Sequence, residues 1–204
     1  IGSDAATNAN TYHLHFDGTD DYLLHTHPAY RSSDDRGTIF AWIYLDAVGS
    51  TYHSIFSVGD ADTNTQYLTF RLDDSERLDV DIVSGTGSSN TRVRGGTAIS
   101  AAGWHSVAVT STGSTIAIYL DGTAESLTVE VGSNDGRWFA DMNGNQDSVA
   151  IGAWKKNNSV YNYFDGRIMQ VAYFGGSVAD QGVLTAAQIA ALHSAGKSHD
   201  LTTA

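Results

Sequence analysis

Residues 103–122, GWHSVAVTSTGSTIAIYLDG, decide the fold. In the first half Val107 and Val109 fall on one side of an extended segment. In the second, Ile116, Ile118 and Leu120 share one side while Ala117 and Tyr119 take the other. A period of two belongs to a β-strand, whose successive side chains point to opposite faces. The small residues Ser111–Ser114 between the halves supply a tight turn, so the stretch predicts a β-hairpin. The same texture extends in both directions, as short β-rich runs separated by Gly, Asn, Asp and Ser. Strands are expected over Tyr12–Phe16, Tyr22–His25, Thr38–Leu45, His53–Val58, Tyr67–Leu72, Leu78–Val83, His105–Thr110, Thr115–Leu120, Leu127–Val131, Ser148–Ala153 and Gly166–Phe174. Helical spacing occurs once, in TAAQIAALHSAG, where Ile189 and Leu192 stand three apart between an N-capping Thr185 and a terminating Gly196. These signals predict an all-β protein, an antiparallel two-sheet β-sandwich with one short C-terminal helix. Residues 1–11 read as a polar lead-in and 12–204 as a single domain.

Composition narrows the functions. Hydrophobic residues make up 41% of the 204, enough to fill the core of one sandwich. Twenty-one glycines against one proline mean that the turns are built from glycine and short polar residues. There is no cysteine, which excludes disulfides, thiolate metal sites and a cysteine nucleophile. The formal charge of −12 repels phosphate backbones, so nucleic acid is not an expected partner. An acidic surface suits calcium, a saline milieu or plain solubility. No apolar run approaches the ~18 residues of a membrane span, and no basic-then-apolar leader opens the chain, so no membrane insertion is expected.

Four stretches, taken together, resemble the laminin G-like jelly roll of the concanavalin A-like lectin fold. They are LHFDGTDDYLL (14–24), GTIFAWIYLD (37–46), the hairpin GWHSVAVTSTGSTIAIYLDG (103–122), and YFDGRIMQVAYF followed by LTAAQIAALHSAG (163–196). Their order and spacing cover about residues 12–196. The short terminal helix and polar tail also resemble laminin G-like domains carried on phage virions and secreted bacterial proteins. The resemblance implies the sandwich and an extracellular or virion-surface location; function still has to come from the site, because this fold hosts lectins, hydrolases, lyases and interaction modules. One departure bears on metal binding. Where the family's closing strand continues with an acidic pair, this chain has Met169 and Gln170, so a calcium held there is lost or moved.

Catalysis has thin support. Two carboxylates flanking a glycosidic bond are the usual requirement, and Asp79 and Asp81 in SERLDVDI share a strand face. Alternation of this kind reads more simply as acids on a solvated face. No Glu-x-Asp-x-x-Glu string and no Gly-x-Ser-x-Gly elbow occurs. His13 and His15 alternate on one predicted strand, and His25 and His27 on what is expected to be its partner, which would allow imidazoles to converge on a metal. Calcium ligands are expected in DMNGNQD, where Asp141, Asn143, Asn145 and Asp147 alternate, and in DADTN, through Asp60, Asp62 and Asn64. The resemblance adds Asp17 and Asp21. Each could equally be an Asx-rich turn.

Sugar recognition needs an aromatic face for the ring and amides or carboxylates for the hydroxyls. Two polar loops supply both. Trp138 stands in SNDGRWFADMNGNQD as the expected exposed aromatic; Asn157, Asn158, Tyr161 and Tyr163 stand in WKKNNSVYNYFDG. Trp42 and Trp104 fall inside strand motifs and read as core; Trp154 could be either. The expected function is a non-catalytic carbohydrate-binding or adhesion module at a virion or cell surface, supported by calcium and facing a surface glycan or polysaccharide. The alternative is a structural or decoration protein that contacts other virion or surface proteins, or copies of itself.

Overall fold

The computed structural model describes residues 12–49, 51–85, 90–100, 103–177 and 182–197. The lead-in 1–11, the polar tail and His199 lie outside them. In chain order the strands are β1 (Leu14–Asp17), β2 (Leu23–Thr26), β3 (Arg36–Leu45), β4 (His53–Gly59), β5 (Gln66–Leu72), β6 (Arg77–Ser84), β7 (Asn90–Ala98), β8 (Trp104–Ser111), β9 (Ile116–Leu120), β10 (Thr123–Ala124), β11 (Thr128–Val131), β12 (Ser148–Ile151), β13 (Trp154–Lys156), β14 (Ser159–Tyr161) and β15 (Asp165–Gly176). One helix, α1 (Ala186–Ala195), follows. Two antiparallel sheets result, ordered β1-β15-β3-β8-β9-β10 and β11-β7-β6-β5-β4-β12-β2, with β13 and β14 forming a separate hairpin.

The hairpin that opened the sequence argument is β8–β9, with Val109 opposite Ile118 as the alternation requires. Its valines and isoleucines join Ile39, Ala41, Ile43 and Leu45 of β3 on the inner face of the six-stranded sheet. Phe56, Val58, Leu68, Phe70, Leu72, Val80 and Ile82 meet them from the other sheet. The intervening residues of β3 are not polar. Phe40 and Trp42 point outward with Ala108, Tyr119 and Met169, and Ile189 and Leu192 of α1 cover them. That second small core is why TIFAWIYL reads as a continuous apolar run rather than an alternating one.

The helix is pinned as its caps predicted. Thr185 Oγ1 accepts from Gln188 N, the Gln188 side chain returns the bond to Thr185 N, and Gly196 ends the helix at φ +77°. At Gly166, in the F-x-G-x-I stretch, φ is +144° and an added Cβ would come within 2.0 Å of the Tyr44 carbonyl. The glycine therefore lets β15 lie close against β3.

Three expectations need correcting. The strands on either side of the FDG turn are not partners: β1 pairs with β15 in one sheet and β2 with β12 in the other. The turn carries the chain across the edge of the sandwich, held by Asp17 Oδ1, which accepts from Thr19 N and Asp20 N. His13 and His15 thus belong to one sheet edge and His25 and His27 to the other, so the four imidazoles do not share a face. Last, β7 and the β13–β14 hairpin were missed. NTRVRGGTA is broken by glycines and SVYNY by asparagines, which suppress an alternation signal.

Candidate functional site

The two outward faces of the sandwich differ in kind. The six-stranded sheet is covered by α1, whereas the seven-stranded sheet presents a polar array. Along β5, Tyr67, Thr69 and Arg71 alternate with the core residues Leu68, Phe70 and Leu72. Along β6, Asp79 and Asp81 alternate with Leu78, Val80 and Ile82; on β7, Arg92 and Arg94 flank Val93. Register sets Arg71 opposite Asp79, Thr69 opposite Asp81, and Asp81 opposite Arg92. Opposite charges on directly facing residues are the pairing a sheet favours.

Asp79 is the hub. Its side chain is 0% exposed; Oδ1 accepts from Arg71 Nε at 2.8 Å and Oδ2 from Arg92 Nε at 2.7 Å. Burial pushes this carboxyl above the ordinary carboxylate range, against the pull of the two guanidiniums. Arg71 Nη2 also donates to Asp81 Oδ2 at 3.1 Å, and the Tyr67 hydroxyl donates to the same oxygen at 3.3 Å. Tyr52 completes the frame. Its ring lies 4.5 Å from the Arg71 guanidinium carbon and 5.6 Å from that of Arg92, and its hydroxyl accepts from Arg92 Nη2. Further along, Arg94 reaches Asp73 and Glu130.

A wall rises beside this floor. The β13–β14 hairpin stands over β4, with the Ser57 hydroxyl donating to the Ala153 carbonyl. Trp154 packs 4.4 Å from the Tyr67 ring, and Lys156 Nζ lies 3.7 Å from the Trp154 centroid and 4.9 Å from that of Tyr161. Burial, with repulsion from Arg71, lowers the Lys156 pKa. Thr69 Oγ1, between Ser57 and Asp81 in the register, is buried without a hydrogen-bond partner. Guanidinium donors, a carboxylate acceptor and an aromatic wall thus lie together on the outward side of the seven-stranded sheet, with Arg71 and Trp154 each only 5% exposed. This is the pattern that holds a polyhydroxylated ligand. Asp79 and Asp81 do share a face, but it is not a solvated one: Asp79 is sealed beneath two arginines and is not placed to exchange protons with a bound substrate.

The expected site residues disperse. Trp138 is a correction: it is 0% exposed, stacks on Phe139 at 5.3 Å and donates through Nε1 to the Tyr173 hydroxyl. The polar residues around it serve the inside. Asp141 caps Trp138 N, Gln146 donates to the Phe139 carbonyl, and Arg137 pairs with Asp135. Asn157 and Asn158 form the hairpin turn, both left-handed at φ +48° and +58°, and their amides donate to the carbonyls of Thr63 and Ala61. Asp147 Oδ1 accepts from Ala61 N, and Asp60 Oδ1 from Asp62 N and Thr63 N. The 60–64 loop, Asp147 and the 157–158 turn therefore meet at one rim. Asn143 donates to the Ser84 carbonyl instead, and the Asn145 amide to that of Met142. Tyr161 is exposed on the wall, while Tyr163 turns towards Tyr22, with ring centroids 6.1 Å apart. Among the described residues, the three carboxylates whose ligand atoms lie within 4.8 Å of one another are Asp17, Asp20 and Asp21.

Sequence reasoning missed Tyr52, Tyr67, Arg71 and Arg92. The signal was present as charge alternating with apolar residues in FRL, LDVDI and TRVR, but it needed the β6–β7 pairing to be read as one array.

Residues 17–190 match the family model described as the concanavalin A-like lectin/glucanases superfamily, in its laminin G form. No curated protein matches the chain in sequence. Solved structures similar in fold include the CBM40 module of the Ruminococcus gnavus IT-sialidase, at 16% identity and TM-score 0.66 over 89% of this chain and 96% of that one. The same module is also known bound to α2,3-sialyllactose. A heptameric SAP-like pentraxin from Limulus polyphemus aligns at 18% identity and TM-score 0.58, covering 89% and 81% of the two chains. The NanB sialidase of Streptococcus pneumoniae aligns at 13% identity and TM-score 0.66, over 87% of this chain but 27% of its own.

Proposed function

The chain belongs to the concanavalin A-like lectin/glucanases superfamily, and from that premise we propose that it is a non-catalytic carbohydrate-binding module of an extracellular surface. Its ligand lies on the outward face of the seven-stranded sheet, on Arg71, Asp81 and Arg92 and against the wall of Lys156 and Tyr161. The observation that carries this reading is the hub at Asp79. A fully buried carboxylate that fixes two arginines is a costly way to stabilise a sheet and an effective way to hold binding groups rigid. The sialyllactose-bound neighbour adds acidic sugars to the ligands worth testing, because a carboxylate could compete with Asp81 for Arg71.

The test is a glycan array that includes sialylated and uronic-acid glycans, run with the wild-type chain and with Tyr161→Ala and Lys156→Ala. Both variants sit on the wall, outside the main core. Each is expected to bind about tenfold or more weakly at unchanged melting temperature, as truncation of a contact residue does. Binding that survives both substitutions undiminished would remove the hairpin from the site.

Calcium belongs to the same proposal as a supporting ion. The donors that suit it are the hard oxygens of Asp17, Asp20 and Asp21, whose ligand atoms lie within 4.8 Å of one another. Melting temperature in calcium against EDTA is expected to rise by a few degrees, and by less in Asp21→Asn, in line with binding that favours the folded chain. Identical curves would take the ion out of the account and leave the sugar site standing.

A further inference from the structure

The chain has one proline, Pro28, and it stands directly after His25, Thr26 and His27. The residue before a proline is held in extended backbone, so the alternation of β2 continues one position past its last residue, Thr26. The ladder to β12 fixes both ends of this stretch: His25 faces Val149, and His27 N donates to the Asp147 carbonyl at 2.8 Å. Two positions apart on extended chain, the imidazoles stand on the same side. Both residues are exposed, and their ring centroids lie 6.0 Å apart with 36° between the planes.

One hydrogen bond sets the chemistry of the pair. His27 Nδ1 lies 2.9 Å from the Pro28 carbonyl oxygen. A carbonyl only accepts, so Nδ1 carries the proton and Nε2 of the neutral ring keeps its lone pair. A second nitrogen donated to a carbonyl is the arrangement that orients a metal-ligating histidine. With metal–nitrogen distances of about 2.0–2.1 Å, two imidazoles on one ion have ring centres roughly 4.5–6.5 Å apart. The 6.0 Å between His25 and His27 falls within that range.

The other alternating pair is engaged elsewhere. His15 Nε2 bonds Asp46 Oδ2 at 2.8 Å, and the His13 ring meets Trp104 edge-on, with centroids 5.7 Å apart. The His25 ring has His27 as its one aromatic neighbour among the described residues. Donor type then selects the ion. Calcium takes hard oxygen ligands, whereas imidazole suits zinc, copper and nickel.

We propose that His25 and His27 hold a divalent first-row transition metal, copper(II) more tightly than zinc, through one nitrogen of each ring, with water in the remaining positions. The order follows the general affinity series of such ions, in which copper exceeds zinc. Two protein ligands make a weak site, with a copper Kd of the order of 1–10 µM, against the far tighter structural sites with four ligands. β2 ends the seven-stranded sheet three strands away from β5. The metal site is therefore separate from the sugar-binding face, and each stands or falls without the other.

Two measurements test it on the full chain. Calorimetric titration with copper(II), in a buffer that does not chelate, is expected to show one equivalent bound, and zinc to bind about tenfold or more weakly. His25→Ala and His27→Ala should each weaken copper binding about tenfold or more, while His13→Ala/His15→Ala leaves it unchanged. All four positions are exposed, and melting temperature without metal checks that each variant is folded. Copper(II) is also paramagnetic. In the wild type, substoichiometric copper should broaden the amide signals of residues 24–28, and of 147–149 across the ladder, before any others. Broadening centred on residues 13–15 or on His199 overturns the proposal. So does copper binding that the His25→Ala/His27→Ala double variant retains, or no binding at about 1 mM copper.

Discussion

Trp138→Ala is expected to cost about 3–5 kcal/mol of folding stability, the range for deleting a large buried aromatic. The ring is wholly enclosed, stacked on Phe139 and bonded to Tyr173, whose hydroxyl in turn donates to Asp34. Removing it opens a cavity at the end of the sandwich where residues 139–142 plug the space between the sheets. It also removes the indole N–H that donates to the Tyr173 hydroxyl. Urea unfolding checks the loss. The folded fraction of the variant should bind glycan as the wild type does, because Trp138 takes no part in the polar face. A variant that keeps wild-type stability and loses binding would return Trp138 to the role its sequence context suggested.

Asp79→Ala is expected to cost a similar amount, about 3–5 kcal/mol, for an electrostatic reason. Arg71 would keep only Asp81 and Arg92 would lose the carboxylate it bonds, and breaking a buried ion pair from one side is far more costly than removing it whole. That asymmetry supplies a control. Replacing the three together, as Arg71→Met, Asp79→Leu and Arg92→Met, should recover most or all of the stability while abolishing ligand binding. Recovery of stability with loss of binding would mark the array as kept for function. Failure of the triple variant to fold better than Asp79→Ala would mark it as part of the sheet's own stability.

These two residues also show what could be read from the sequence and what could not. Strands whose apolar residues alternate announced themselves, since one face of β8, β9 or β6 meets the main core between the sheets and the other does not. The helix announced itself through its caps. Partnership was less visible. The FDG turn looks like a hairpin connection locally, yet it passes the chain from one sheet to the other, and nothing within five residues distinguishes the two. Trp138 was misplaced because polar neighbours were taken to mean solvent. In the fold Asp141, Gln146 and Arg137 satisfy the backbone and side chains of an inward-turning loop, so polarity there signals capping rather than exposure. Arg71 and Arg92 escaped notice for the opposite reason. Each stands on a strand where a lone charge reads as a solvated position, and only register brings them onto Asp79. The Asn157–Asn158 turn was hidden for a third reason, because the asparagines of the 154–163 stretch make it read as one polar loop rather than as two short strands.

The central claim is that ligand binds the outward face of the seven-stranded sheet. Hydrogen-exchange footprinting with the strongest ligand from the array tests it most directly. The account predicts added protection in β5, β6 and β7 around Arg71, Asp79 and Arg92 and in the 154–161 hairpin, with α1 and the six-stranded sheet unchanged. Protection centred on α1 or on the 17–22 turn, with the β5–β7 face unaltered, would contradict it.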